Sequence, residues 1–208
     1  NYYTSVVSLQ IYGDASEGSR GVETTYQASG DIKVRVSFYL YDSCVDPGVS
    51  IFPATGSSYW LWSARIGRIQ ASLDCSVPVL YGEYSSATAY SGLALGYWYT
   101  IVLTHNPSYG RTTASYYRGY DIDPSSVGAS YALQSEITIY ESFSKSTPLR
   151  MGLSADTDSY SRYCQLAEFR VTPFVSDSTG GYTPTLFPTR TPTLSPTRAV
   201  VYEASLLS

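Results

Sequence analysis

The chain is 208 residues long with a net charge of −4, and its only lysines are Lys33 and Lys145. The absence of a basic stripe excludes a nucleic-acid surface, and no run nears the ~18 apolar residues of a membrane helix. One histidine, His105, and three scattered cysteines exclude a Cys/His zinc site.

The composition favours strands: 22 Tyr, 6 Phe and 3 Trp suit a pleated, half-buried surface. Asn1 opens the chain without a Met start or signal peptide, so it reads as a processed or truncated N terminus. The first strand expected is VSLQIY (7–12), followed by DIKVRVSFYLYD (31–42), which alternates cleanly. There Ile32, Val34, Val36, Phe38 and Leu40 share one face, with Lys33, Arg35, Ser37, Tyr39 and Tyr41 on the other. Further short strands are expected at 49–54, 58–64, 68–74, 79–85, 98–105, 112–120, 136–142, 149–155 and 165–174. No window carries a helical apolar stripe, and strands at roughly 8–12-residue spacing predict an all-β, antiparallel two-sheet sandwich or barrel. A domain of about 175 residues buries enough surface to fold without a metal or disulfide.

Cys44 and Cys75 sit in turn-like contexts, YDSCVDPG and SLDCSVP, and a Cys44–Cys75 disulfide is the favoured pairing. Cys164 lies in a strand pattern and reads as a buried thiol; the alternative is that all three are reduced core residues.

The stretch GYWYTIVLTHNPSYGRTTASYYRG resembles a signature of laminin-G-like, concanavalin A-like jelly-roll modules. Trp98 would open a strand, Asn106 to Arg111 would form the polar turn, and the return strand would end at Gly119. LRMGLSADTDSYSRYCQLAEFRV, with Phe169-Arg170, resembles the closing strands of the same modules. The resemblance covers about residues 5–174 and implies two stacked antiparallel sheets in a jelly roll. Cys164 departs from it, standing where a small residue is usual. The Glu-x-Asp-x-x-Glu signature of related glucanases is missing, so the resemblance implies no enzyme.

Carboxylates at Asp14, Glu17, Asp46, Glu83, Asp121 and Asp123 are scattered over turns and read as solvated, not as a glycosidase pair. His105, in THNPSYG, reads as an exposed hairpin-loop residue with a structural role. Asp121 and Asp123 together with Asp156 and Asp158 offer oxygen ligands for calcium, against the plainer reading of a polar loop. No other cofactor is expected. For carbohydrate, which stacks on aromatic rings, the candidates are Tyr59, Trp60, Trp62, Tyr97 and Tyr99. Trp98 is assigned to the core. Trp60 and Trp62 share a face, and at least one of them competes for the same role.

The chain then changes character. TPTLFPTRTPTLSPTR (183–198) places Pro184, Pro188, Pro192 and Pro196 four apart, each followed by Thr. Such a tract extends as polyproline II, and sixteen residues reach roughly 50 Å. Thr183, Thr185, Thr189, Thr191, Thr193 and Thr197 are the expected O-glycan sites, together with Pro184, Pro188, Pro192 and Pro196 as hydroxyproline. The tract resembles those of secreted algal and protist surface glycoproteins; the plainer reading is a flexible linker. N-glycans are excluded, because the only internal Asn is followed by Pro107. In AVVYEASLLS, Val200, Tyr202, Ala204 and Leu206 share one strand face. That strand would add to a neighbouring subunit, or open another module of a longer chain.

The sequence therefore divides into a jelly-roll domain (1–175), an extended linker (176–198) and a C-terminal assembly strand (199–208). The expected function is a secreted, non-catalytic subunit joining copies of itself in a glycosylated filament or cell-surface coat. The alternative is a lectin-like module binding polysaccharide.

Overall fold

In a computed structural model, residues 9–12, 20–23, 28–41, 45–54, 67–157 and 163–173 are described. Six strands precede the middle of the chain: β1 (Leu9–Tyr12), β2 (Arg20–Glu23), β3 (Ile32–Leu40), β4 (Val45–Pro53), β5 (Ile69–Asp74) and β6 (Val77–Tyr81). Six follow: β7 (Ser86–Thr88), β8 (Tyr97–Asn106), β9 (Arg111–Arg118), β10 (Leu133–Ile139), β11 (Leu149–Thr157) and β12 (Tyr163–Pro173). A single helical turn, α1 (Ala129–Ala132), precedes β10. The expected strand at 58–64 lies outside the described residues.

All strand pairs are antiparallel. The first sheet runs β1-β12-β3-β8-β9-β10 and the second β2-β11-β4-β5-β6-β7. The antiparallel sandwich expected from the strand pattern, with the two stacked sheets that the resemblance implies, is the architecture found. In β3, Ile32, Val34, Val36, Phe38 and Leu40 all face inward and are fully or almost fully buried. Opposite them lie Val49 and Ile51 of β4, Ile69, Ala71 and Leu73 of β5, and Met151 of β11, in one continuous core. Each large aliphatic side chain removed from water in this way contributes about 1.5–3 kcal/mol.

Polar atoms tie the layers together. Tyr116 of β9, fully buried, donates its hydroxyl to the carbonyls of Ser72 (2.7 Å) and Val79 (3.0 Å) in the second sheet. Burial pushes this phenol far above the usual tyrosine range. At the rim, the Glu141 carboxylate accepts N–H groups of Glu83, Tyr84 (3.1 Å) and Ser85 (3.2 Å), and the Ser85 hydroxyl (2.9 Å). Those donors belong to the turn between β6 and β7. A Cβ at Gly82 would meet the Glu141 carboxylate, so a larger residue there would displace that side chain from the turn.

Two expectations change at this level. Residues 79–85 are not one strand: β6 stops at Tyr81, Gly82 N–H closes onto the Ser85 carbonyl (2.7 Å), and β7 follows. His105 is not an exposed loop residue. β8 continues to Asn106, and His105 is fully buried inside it. Its Nδ1–H donates to the Gly30 carbonyl (3.2 Å) and its Nε2 accepts the Phe143 N–H (2.9 Å). The ring therefore staples the 28–31 segment and the end of the β10 excursion to β8. Burial holds its pKa below the usual histidine value, opposed by the Gly30 bond and by Asp31.

Candidate functional site

The first sheet turns a polar face outward, away from the core. Cross-strand register aligns Tyr39 with Trp98, Ser37 with Thr100, Arg35 with Val102 and Lys33 with Thr104. The rows continue onto β9 and β10, where Ser115 faces Glu136 and Thr113 faces Thr138. Strand alternation thus produces three zones along one surface.

At one end Trp98 packs edge-on against Tyr39 (5.6 Å between centroids) and Tyr120 (5.0 Å). The middle is crossed by the segment that follows β9. Asp121 N–H donates to Ser37 Oγ (2.9 Å), and Ile122 N–H to Thr100 Oγ1 (3.1 Å). Arg35 grips the same segment through the Ile122 carbonyl (3.3 Å) and Asp121 Oδ1 (3.1 Å). Beneath it, Val102, Tyr117 and Ala129 form a small second apolar cluster against which Ile122 packs.

The third zone is a groove of about 270 Å³ bounded by Pro124 and Ser125. Its walls and floor carry Thr104, Thr113, Thr138 and Ser115, with Lys33, Arg111 and Glu136 among them. Thr113 and Thr138 share a hydrogen bond (2.8 Å), and Ser115 donates to Glu136 Oε2 (2.9 Å). Burial lowers the Lys33 pKa, partly offset by the Asp123 carboxylate. Asp123 is held below the usual carboxylate range by the Ser125 hydroxyl and N–H, then by Arg35 and Lys33. Such a surface offers donors and acceptors in alternation, beside one cation on each of β3 and β9. It suits a neutral or mixed-charge hydroxylated ligand better than it suits bond cleavage.

The residues expected to bind sugar are distributed differently from the expectation. Tyr99 is a correction: it is 1% exposed, stacks on Phe38 (5.8 Å) and donates its hydroxyl to the Ala94 carbonyl (2.8 Å). Trp98, assigned to the core, is the outward residue, because it pairs with Tyr39 while Tyr99 pairs with inward Phe38. Tyr97 stands exposed at the rim with the Arg118 guanidinium 3.5 Å from its ring centroid. Tyr59, Trp60 and Trp62 lie outside the described residues.

Of the four aspartates expected to hold calcium, the three among the described residues do not assemble. Asp121 and Asp123 lie on the outer side of the first sheet, where Arg35 and Ser125 engage them. Asp156 sits in β11 of the second sheet, opposite Asp46 in the register; Asp158 lies outside the described residues. Among the described residues no three potential ligands converge on a metal site. Cys75 occupies the exposed β5–β6 turn with positive φ, and its N–H donates to Asp46 Oδ1 (3.2 Å). Cys44, and every proposed tail position from Thr183 to Leu206, lie outside the described residues. The groove was not expected; its signal in the sequence is one threonine from each of β8, β9 and β10 (Thr104, Thr113 and Thr138), set side by side by the cross-strand register.

No protein-family model and no curated protein matches the chain. Solved structures do. Lectin II from Ulex europaeus aligns with a TM-score of 0.58 at 11% identity, over 79% of this chain and 86% of that one. Lectin I-B4 from Griffonia simplicifolia, in a metal-free form, aligns with a TM-score of 0.56 at 10% identity, covering 83% and 96%. Basic winged bean lectin with Tn-antigen gives 0.53 at 10% identity, covering 82% and 87%. The fold is therefore the concanavalin A-like jelly roll of the legume lectins. That is the part of the expected resemblance these structures carry.

Proposed function

We propose that the chain is an extracellular, non-catalytic module that binds carbohydrate, and that the outer-face groove is where the saccharide lies. The observation that carries this reading is the groove's chemistry: a floor of threonine and serine hydroxyls between Lys33, Arg111 and Glu136. Sugars are recognised by such convergent polar groups, with aromatic rings supporting their apolar faces. Trp98, Tyr39 and Tyr120 supply an aromatic ledge on the same face. The likeness to lectins supports the reading at the level of fold alone. Binding of the chain to a panel of immobilised polysaccharides, compared with Arg111→Ala and Glu136→Gln, tests it. Removing either group should weaken binding about tenfold or more, the usual scale for a lost charged hydrogen bond. Unchanged binding by both variants would move the site elsewhere, and no binding to any saccharide would end the reading.

A second role is favoured by the edges of the sandwich: assembly of copies through 199–208, as a subunit of a filament or coat. Among the described residues the edge strand β7 has three residues, whereas the edge strand β10 has seven. The Pro/Thr tract would then be the O-glycosylated spacer between copies. Residues 1–175, 176–198 and 199–208 are the domain, spacer and assembly strand of this reading.

A further inference from the structure

We propose that β10 is the acceptor edge, and that segment 199–208 of a second copy of this chain pairs with it as an added strand. Among the described residues β10 is hydrogen-bonded to β9 on one side and to no strand on the other. Exposed edges of this kind are usually blunted by shortness, lysine or proline. The edge strand β7 has only three residues, but β10 (LQSEITI) has seven and contains neither Lys nor Pro. A single bulge lies between Leu133 and Ser135, leaving Ser135–Ile139 as regular ladder. Apolar surface collects at the two ends of this strand, where Tyr131 is 92% and Tyr140 is 87% exposed and Leu133 is 36% exposed.

The side-chain pattern of the tail complements the edge. β10 turns Ile137 and Ile139 inward and Glu136 and Thr138 to the outer face. An added strand would continue both faces, with Val200, Tyr202, Ala204 and Leu206 extending the inner, apolar side and Val201, Glu203, Ser205 and Leu207 the outer one. Geometry favours a second copy over the chain's own sheet. β12 and β10 are four strand spacings apart, about 19 Å, while the Pro/Thr tract alone reaches roughly 50 Å. Donation from each copy to the next is heterologous, and it propagates wherever the rotation between copies does not close a ring.

This inference rests on the assembly reading, and hydrogen exchange on the full chain across a dilution series separates the two. Sedimentation reports whether copies associate, while amide exchange at 133–139 reports where. The expected result is concentration-dependent association in which the β10 amides slow about tenfold or more. Tyr202→Asp/Leu206→Asp, which leaves the sandwich untouched, should abolish both effects. Leu133→Lys/Tyr140→Lys should weaken association from the acceptor side. Association with protection away from β10 would overturn the acceptor assignment and leave assembly standing. A chain monomeric at every concentration would overturn both, as would β10 protection independent of dilution, which would mean the tail returns to its own sheet.

Discussion

The Glu141 carboxylate concentrates four hydrogen bonds on one turn of the opposite sheet. Charge-assisted bonds to backbone N–H groups are stronger than neutral ones, so the side chain joins β10's end to the β6–β7 corner. Glu141→Gln keeps the shape and removes the charge, and should lower stability by about 1–3 kcal/mol. Urea unfolding would show this as a lower midpoint with an unchanged slope; an unchanged midpoint would refute it. His105 makes the complementary prediction for pH. Its neutral ring uses both nitrogens, and burial depresses its folded pKa relative to the unfolded value near 6.5. Above that value both states are neutral and the full stability is present. As pH falls below it, the unfolded chain takes up a proton that the folded chain resists, costing up to about 1.4 kcal/mol per pH unit. The urea midpoint should therefore drop between pH 7 and pH 5, and His105→Gln should flatten that dependence.

At the level of elements, the β5–β6 turn argues for the Cys44–Cys75 disulfide. Cys75 N–H bonds to Asp46 Oδ1 (3.2 Å), which draws the turn to within two residues of Cys44 in sequence. A closed loop of about 30 residues stabilises by roughly 3–4 kcal/mol through the unfolded chain. Thiol titration of the denatured, unreduced protein should find one reactive cysteine, Cys164; finding three would discard the bridge. How much of the elements was legible follows from pattern length. β3 was readable in full, because nine alternating residues leave no other period. β7, with three residues, carries too little pattern to register. In β8 the turn-like run THNPSYG hid the fact that the strand lasts through Asn106. The inversion of Trp98 and Tyr99 was readable in principle: Thr100 and Thr104 share the parity of Trp98 and mark its side as the polar one. The covering of that face was not readable, since Arg35 meets Asp121 across 86 residues of sequence, and only the folded sheet brings them together.

For the molecule as a whole, the spacer reading predicts an intact mass above the 22.8 kDa of the bare chain. Chemical release of O-glycans should restore that mass, and a native mass already equal to it would refute the modification.

β1 and β12 have a mechanical consequence. They are antiparallel neighbours, with Leu9 opposite Leu166 and Tyr12 opposite Tyr163, and β12 runs on to Pro173. The polypeptide therefore enters and leaves the sandwich at the same pole. Tension applied across Leu9 and Pro173 would load the four-pair β1–β12 ladder from its Leu9–Leu166 end and the β12–β3 ladder from its Pro173–Ile32 end, each one pair at a time as a zip opens.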